Sequence, residues 1–407
     1  MTKPELLAPI QDFTSLTAAI SAGADAVYFG IQGFNMRAGA KNFEAKDLAK
    51  IVKIAHARNV KVYLALNVIV YEEEIKKAAK ILTSAKKVGV DAIICWDMGI
   101  IQLAKKMKLE IHLSTQASVS NSAAAKFYKS QGVTRVVLAP ECSLDQIKKI
   151  KKNVKIEIET FIHGAMCVSV SGRCFLSQHL YGKSANRGEC LQPCRRKYII
   201  TQTDGKEELE LGEDYVLSPK DMNTLPFIEQ LIEAGIDVFK IEGRNRSVEY
   251  VSTVVKVYRQ IIDFYFENKG KKDFKDKLAE MKKQGLTELS KVYNRGFGNG
   301  FYLGKPIDEW SHSYGSQATE RKIHIGRVTH FYPKISVAEV LIEAGKTVKQ
   351  QDELQFEGET TGIYRQKISS MEIDHISVKK AGQGDKFAVK LNSKVKAGDK
   401  VYKVISK

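Results

Sequence analysis

Short apolar runs alternate with amphipathic helical patterns along roughly the first 250 residues. The runs are Glu5–Ile10, Ala26–Gly30, Val60–Asn67, Asp91–Asp97, Glu110–Thr115, Arg135–Ala139, Lys155–Phe161 and Asp237–Glu242. Helical periodicity fills most of the gaps, as in Thr14–Ser21, Ala45–Arg58, Glu72–Val88 and Ser120–Gln131. Similar junctions recur at Ala22-Gly23-Ala24-Asp25, Val88-Gly89-Val90-Asp91 and Ala234-Gly235-Ile236-Asp237. Glycine there supplies the left-handed cap that turns a helix into the next strand. Eight such units predict an α/β fold, a (β/α)8 TIM-like barrel over residues 1–310. A doubly wound open sheet is the rival, though it usually carries fewer strands at this length.

A barrel places its chemistry at the C-terminal ends of its strands. Here those ends hold Gly30, Asn67, Asp97, Thr115-Gln116, Glu141, His163-Gly164 and Glu242-Gly243-Arg244. One connection breaks the rhythm: a long insertion separates Phe161 from Asp237. It opens with a cysteine-bearing loop, residues 163–197, and continues through Tyr198–Leu217, which reads as a hairpin around Asp204-Gly205. Ser247 to Gln284 reads as helical and heavily charged, and Asn294-Arg295-Gly296-Phe297-Gly298-Asn299-Gly300 reads as a tight turn.

Beyond Arg321 the period changes to two. Ile323–Tyr332, Ile335–Ile342, Glu353–Glu357, Met371–Val378, Lys386–Leu391 and Lys400–Ile405 alternate without helices. They predict a separate C-terminal all-β barrel domain, residues 321–407.

Composition narrows the class. The chain is 43% hydrophobic and 27% charged, which excludes collagenous, coiled-coil and disordered readings. No apolar run approaches the roughly 18 residues of a membrane span. Met1-Thr2-Lys3-Pro4 leads straight into a strand without the pattern of a signal peptide, so a cytoplasmic protein is expected. The net charge of +17 favours a polyanionic partner such as nucleic acid, although solvated lysine-rich helix faces would give the same number.

Of six cysteines, Cys95 and Cys142 end apolar segments, as small buried thiols do. Cys167, Cys174, Cys190 and Cys194 fall in the one loop. Four thiolates can ligate an iron–sulfur cluster or, alternatively, complete a zinc site. The paired C-x2-C knuckles of structural zinc are missing, whereas clusters tolerate wider spacing, which favours iron–sulfur. There is no H-E-x-x-H, G-x-S-x-G or P-loop motif. His163 ends a strand directly before the cysteine loop, which singles it out from the other histidines.

Phe161-Ile162-His163-Gly164-Ala165-Met166-Cys167, Ser171-Gly172-Arg173-Cys174, Gly188-Glu189-Cys190-Leu191-Gln192-Pro193-Cys194-Arg195 and Lys240-Ile241-Glu242-Gly243-Arg244 resemble the signatures of the collagenase-like peptidases, family U-thirty-two. The resemblance extends to Tyr28-Phe29-Gly30, Arg37, Asn42-Phe43 and Ser114-Thr115-Gln116, and covers nearly the whole chain. It departs from the family pattern at Pro140, before Glu141, where many relatives carry Arg. The terminal strands are similar to the C-terminal domain of the family's tRNA-modifying branch.

The resemblance implies two competing activities. One is proteolysis by a collagenase-like peptidase. The other is prephenate-dependent hydroxylation of tRNA, forming 5-hydroxyuridine at the anticodon wobble position, with a related branch hydroxylating a ribosomal RNA cytidine. It implies a 4Fe-4S cluster on Cys167, Cys174, Cys190 and Cys194. Some relatives act in pairs, so a protein partner of the same family, or a non-catalytic role in delivering tRNA, is a further alternative. A peptidase needs an activated nucleophile or water, and no recognisable dyad or zinc motif is present. A hydroxylase acting on RNA needs a basic surface, a redox centre and a pocket for a small dicarboxylate. Arg37, Arg173 and Arg244 are the candidates for that pocket, and His163, Glu242 and Arg244 for the catalytic centre. Each arginine has an alternative role as the ion-pair partner of a strand-end carboxylate such as Glu141 or Glu242.

Overall fold

The structure, a computed structural model, describes residues 2–37, 41–198, 200–201, 208–209, 217–306, 309–343 and 345–407. Eight parallel strands lie at its centre: β1 (Glu5–Pro9), β2 (Ala26–Gly30), β3 (Lys61–Ala65), β4 (Ala92–Cys95), β5 (Ile111–Leu113), β6 (Arg135–Val137), β7 (Glu157–Ala165) and β8 (Val238–Ile241). Each pairs with the next in parallel from β1 to β7, and β8 pairs with both β1 and β7, which closes the barrel. The expected (β/α)8 architecture is therefore present. Helices such as Phe13–Ser21, Leu48–His56 and Ile75–Val88 pack their apolar faces onto the strands and form the main core.

Inside the barrel a small apolar layer of Leu7, Ala26, Tyr28, Tyr63, Ala65, Ala92, Ile94 and Val238 faces the axis. Charged residues share that interior because alternate strand positions point inward. Glu5 receives Arg135 at 2.8 Å, Lys61 at 2.9 Å and the Tyr63 hydroxyl at 2.8 Å. Glu159, fully buried, receives Lys240 at 2.6 Å and stands 3.5 Å from Arg135. These pairs fill the barrel from its N-terminal end up to Lys240.

The connection from β7 to β8 carries the cysteine loop and a short strand, Asp221–Asn223, antiparallel to the end of β7. Phe297–Gly298 adds a second short strand beside it, so the glycine-rich stretch expected to be a turn also extends the sheet. Ile200–Thr201 pairs antiparallel with Glu208–Leu209, as a hairpin requires; its turn at Asp204-Gly205 lies outside the described residues. The helical stretch after Ser247 is two helices, Val248–Asn268 and Phe274–Lys291, broken at Gly270, whose φ of +94° no helix accommodates.

The C-terminal domain is all-β, as expected, around its own apolar core. Glu320–Tyr332 pairs with both Val337–Ile342 and Lys400–Ser406. Gly362–Lys367, a strand missing from the sequence reading, pairs with Glu353–Gly358 at one end of the ladder. Tyr364 and Gln366 reach across to Asn392 and Lys390, which follow and end the Lys386–Lys390 strand and wrap the sheet round. Met371–Val378 is a two-residue hairpin, Glu372–Ile373 with Ile376–Ser377, turned by Asp374 and His375 at positive φ. The domain docks on the barrel through Lys322 to Glu249 at 2.6 Å and Glu359 to Lys50 at 3.0 Å.

Candidate active site

A pocket of about 1000 Å³, counting its open mouth, lies at the C-terminal end of the barrel. Its floor is Tyr28, Lys240 and Phe161; its walls include Arg37, Asn67, Gln116, His163, Glu242 and Arg244; Cys167 and Ser169 stand at one side. Two glycines make it possible. A Cβ on Gly30 would lie 2.2 Å from the Asn35 side chain, so glycine lets Asn35 fold over the end of β2. A Cβ on Gly164 would lie 2.7 Å from the Glu242 carbonyl, and its φ of +114° excludes other residues, so glycine lets β7 and β8 converge.

Asn35, fully buried, organises the cationic wall. Its Oδ1 accepts from the Arg37 amide at 2.9 Å and from Arg244 Nη1 at 3.1 Å, while its Nδ2 donates to the Ile31 carbonyl at 2.7 Å. Arg37 pairs with Glu242 at 3.0 Å. Burial pushes the Glu242 carboxyl up, but Arg37, Arg246 and Arg244 outweigh it and hold the group below its ordinary value. Arg244 differs. It is 7% exposed, its side chain donates to a neutral amide rather than a carboxylate, and its guanidinium stands 5.7 Å from the Tyr28 ring centre. Burial pulls it down to about 10.

His163 is buried against Tyr250, Tyr258 and Phe297, and its Nδ1 lies 3.4 Å from the Tyr258 hydroxyl. Burial, with Arg246 nearby, pulls it down to about 3, so the ring is neutral at neutral pH. On the opposite wall, Asn67 Nδ2 reaches Ser114 at 3.5 Å and Gln116 at 3.4 Å. Glu141 Oε1 accepts the Ser171 amide at 3.1 Å, and its Oε2 is buried with no partner.

The cysteine loop caps this pocket. Arg187 clamps Glu74 through both guanidinium nitrogens, at 2.6 and 2.9 Å. Asn186 Oδ1 accepts the Cys174 amide at 3.1 Å, and Arg195 donates to Ser218 at 2.9 Å and to the Met166 carbonyl. Three sulfurs accept an amide N–H from two residues on: Cys167 from Ser169 at 3.5 Å, Cys174 from Leu176 at 3.3 Å and Cys190 from Gln192 at 3.4 Å. Burial pushes the Cys190 and Cys194 thiols up, against the opposing pull of Arg37 and Arg195 respectively, and the neighbouring thiols raise them further. The four sulfurs thus form one electrostatic group. Among the described residues no three His, Cys, Asp or Glu side chains gather closely enough to hold a single ion. Four thiols with repeated N–H···S bonds and guanidinium neighbours suit the donor set of a four-iron cluster, whose sulfurs such hydrogen bonds tune.

Most of the residues singled out in the sequence meet here: Arg37, His163, Glu242, Arg244 and Cys167 line the pocket. Arg173 does not. It is exposed, donates to Ser118 at 3.1 Å and faces the Trp96 ring at 6.0 Å. Asp97 caps the helix Met98–Lys106 by accepting from Gly99 and Ile100, a structural task. Sequence reasoning missed Asn35 and Lys240. Lys240 carried a readable signal, a charge at an inward position of an apolar strand; Asn35 sits in a loop without periodicity.

The sequence pattern of peptidase family U32 matches residues 11–312. An uncharacterized protease of Methanocaldococcus jannaschii is 45% identical, with 99% of this chain and 98% of that one covered. A collagenase of Porphyromonas gingivalis is 40% identical, with 98% and 97% covered. The tRNA hydroxylation protein P1 of Bacillus subtilis is 38% identical, with 88% and 84% covered. With its barrel, its cysteine loop and a match over three quarters of its length, the chain belongs to peptidase family U32.

Proposed function

We propose that this protein is an RNA hydroxylase that forms 5-hydroxyuridine at the wobble position of tRNA anticodons, using prephenate as co-substrate. The observation that carries the reading is the four-cysteine loop lying over a pocket whose floor and wall hold Lys240, Arg37 and Arg244. A relative named for tRNA hydroxylation, similar along most of both chains, supports it. The net charge of +17 suits a polyanionic substrate.

Cys167, Cys174, Cys190 and Cys194 would hold a 4Fe-4S cluster, which supplies one-electron chemistry when bound. Arg244 and the outer face of Arg37 bind the carboxylates of the co-substrate, since a guanidinium fork matches a carboxylate. Glu242 orients Arg37 through its ion pair. Phe161, Met36 and Met166 keep the pocket's apolar side dry. Neutral His163 offers a ring nitrogen beside the Tyr258 hydroxyl rather than a cation. A peptidase histidine would instead stand against a nucleophile or a metal-bound water.

The test is mass spectrometry of nucleosides from tRNA and ribosomal RNA of a deletion strain, complemented with wild type, Cys194→Ser or Arg244→Ala. Loss of the 5-hydroxyuridine family from tRNA, restored by wild type alone, is expected. Unchanged wobble uridines with loss of a hydroxylated ribosomal cytidine would move the substrate to ribosomal RNA. No change in either, with collagen cleaved by the pure protein, would return the assignment to a peptidase.

A further inference from the structure

Six of the fifteen exposed large apolar side chains among the described residues stand between Cys167 and Cys194. Phe175 is 66% exposed, Val170 62% and Leu191 51%. Exposure concentrated in one segment marks a contact surface rather than scatter. It also adjoins the pocket, because Ser169 and Ser171, on either side of Val170, line the pocket wall. Residues 163–197 hold six Lys or Arg against a single acid, Glu189. The aromatic and cationic groups interleave: the Arg196 guanidinium lies 4.9 Å from the Tyr181 ring centre, and the ring of Phe175 adjoins that of His179 at 6.4 Å.

We infer that the outer face of the cysteine loop is a stacking platform for a single-stranded RNA loop, with Phe175 and Tyr181 receiving the bases beside the one that enters the pocket. The inference rests on the RNA hydroxylase reading and adds the docking surface and its mode. A pyrimidine that reacts inside a barrel pocket has left its stack, so its neighbours each lose a stacking partner. Exposed aromatic rings replace that stacking without reading sequence, and interleaved arginines neutralise the phosphates between the bases. A protein partner would use the apolar groups equally well, but Arg173, Lys183, Arg196 and Lys197 are exposed on this loop against the single exposed acid Glu189, a balance complementary to a polyanion.

The test uses the full chain and a fluorescent RNA hairpin with a single-stranded loop, compared with a fully paired RNA duplex of equal length and with anionic phospholipid vesicles. Phe175→Ala and Tyr181→Ala remove exposed rings, so the fold is not at stake. Each is expected to weaken hairpin binding by about 10-fold, within a range of roughly 5- to 100-fold for a lost base stack. Duplex binding, held by phosphates alone, should stay within about twofold. Phe175→Trp should bind the hairpin as the wild type does. Ile376→Ala, at an equally exposed apolar residue of the C-terminal domain, should change nothing. Unchanged hairpin binding in both alanine variants, or equal losses on hairpin and duplex, would overturn the platform while leaving the hydroxylase reading intact. So would ring-dependent binding to vesicles with the hairpin unaffected. Failure of the unaltered chain to bind any RNA would overturn both.

Discussion

Replacing Arg244 by methionine should make the empty protein more stable, an unusual direction for a buried residue at a barrel end. Burial pulls this guanidinium from its ordinary value down to about 10, and at roughly 1.4 kcal/mol per decade of proton affinity that is a cost of about 3 kcal/mol. Its hydrogen bond to Asn35 returns about 1.5–3 kcal/mol, the range for a bond with one charged partner. Methionine fills much of the same volume without the charge, so the net gain is at most about 1.5 kcal/mol. The sign with pH follows from the direction of the shift. The folded chain starts to lose this proton, while the unfolded chain keeps it, only above about pH 10, so the gain should be constant between about pH 6 and 9. Urea denaturation at several pH values measures it. The same titration with a small dicarboxylate supplies the second arm: at about a hundred times its Kd it should stabilise the wild type by about 2.7 kcal/mol and leave Arg244→Met unmoved. A destabilised variant, or equal stabilisation of both proteins by the dicarboxylate, would refute the reasoning.

Two further outcomes are expected. Protein purified without oxygen should carry about four irons per chain; Cys190→Ser should remove most of the iron and Cys95→Ser none, because Cys95 is fully buried in the barrel core, and stoichiometric zinc in colourless protein would contradict the cluster. Lys240→Met leaves the carboxylate of Glu159 buried with Arg135 alone at 3.5 Å, so it should cost about 3–5 kcal/mol in urea denaturation. Adding Glu159→Gln should recover a large part of that, and a single variant as stable as wild type would disprove the pairing.

The barrel was legible because apolar runs and helical periodicity repeat eight times, and each glycine junction such as Val88-Gly89-Val90-Asp91 marks a turn back to a strand. Gly89 indeed caps its helix in the left-handed region. The pocket was legible where polar residues end strands, as at Asn67, His163 and Glu242. It was not legible where tertiary geometry decides. Asp97 and Glu242 look alike as strand-end acids; one caps a helix and the other meets Arg37 only because residues 31–37 fold back across the barrel mouth. Arg173 sits in the cysteine motif, yet its side chain points to Ser118, since the loop's path and not its sequence sets that direction. In the terminal domain, Gly362–Lys367 gives no clear strand signal because its mixed residues alternate weakly, and pairing with Glu353–Gly358 makes it a strand.

Charge satisfaction divides along the barrel axis, and that division points to what the pocket binds. Below Lys240, Glu5, Arg135 and Glu159 balance one another's charge inside the strands, although Glu159 Oε2 and His112 Nδ1 have no hydrogen-bond partner there. Above it the accounting stays open. Arg244 has a neutral amide for its side-chain partner, and Glu141 keeps one buried oxygen unpaired on the pocket wall. An unsatisfied buried group costs about 1–3 kcal/mol, and one that lines a pocket is open to completion by a ligand. The complement of this pair is a molecule with an anionic acceptor for Arg244 and a hydrogen-bond donor for Glu141. The hydroxylated dicarboxylate proposed as co-substrate would meet both demands at once; an anionic phosphate group alone would meet only the first. Ligands that differ in the hydroxyl but share the carboxylates should therefore bind with unequal affinity to the wild type and with equal affinity to Glu141→Leu. Equal binding to the wild type would mean that the open oxygen of Glu141 plays no part in recognition.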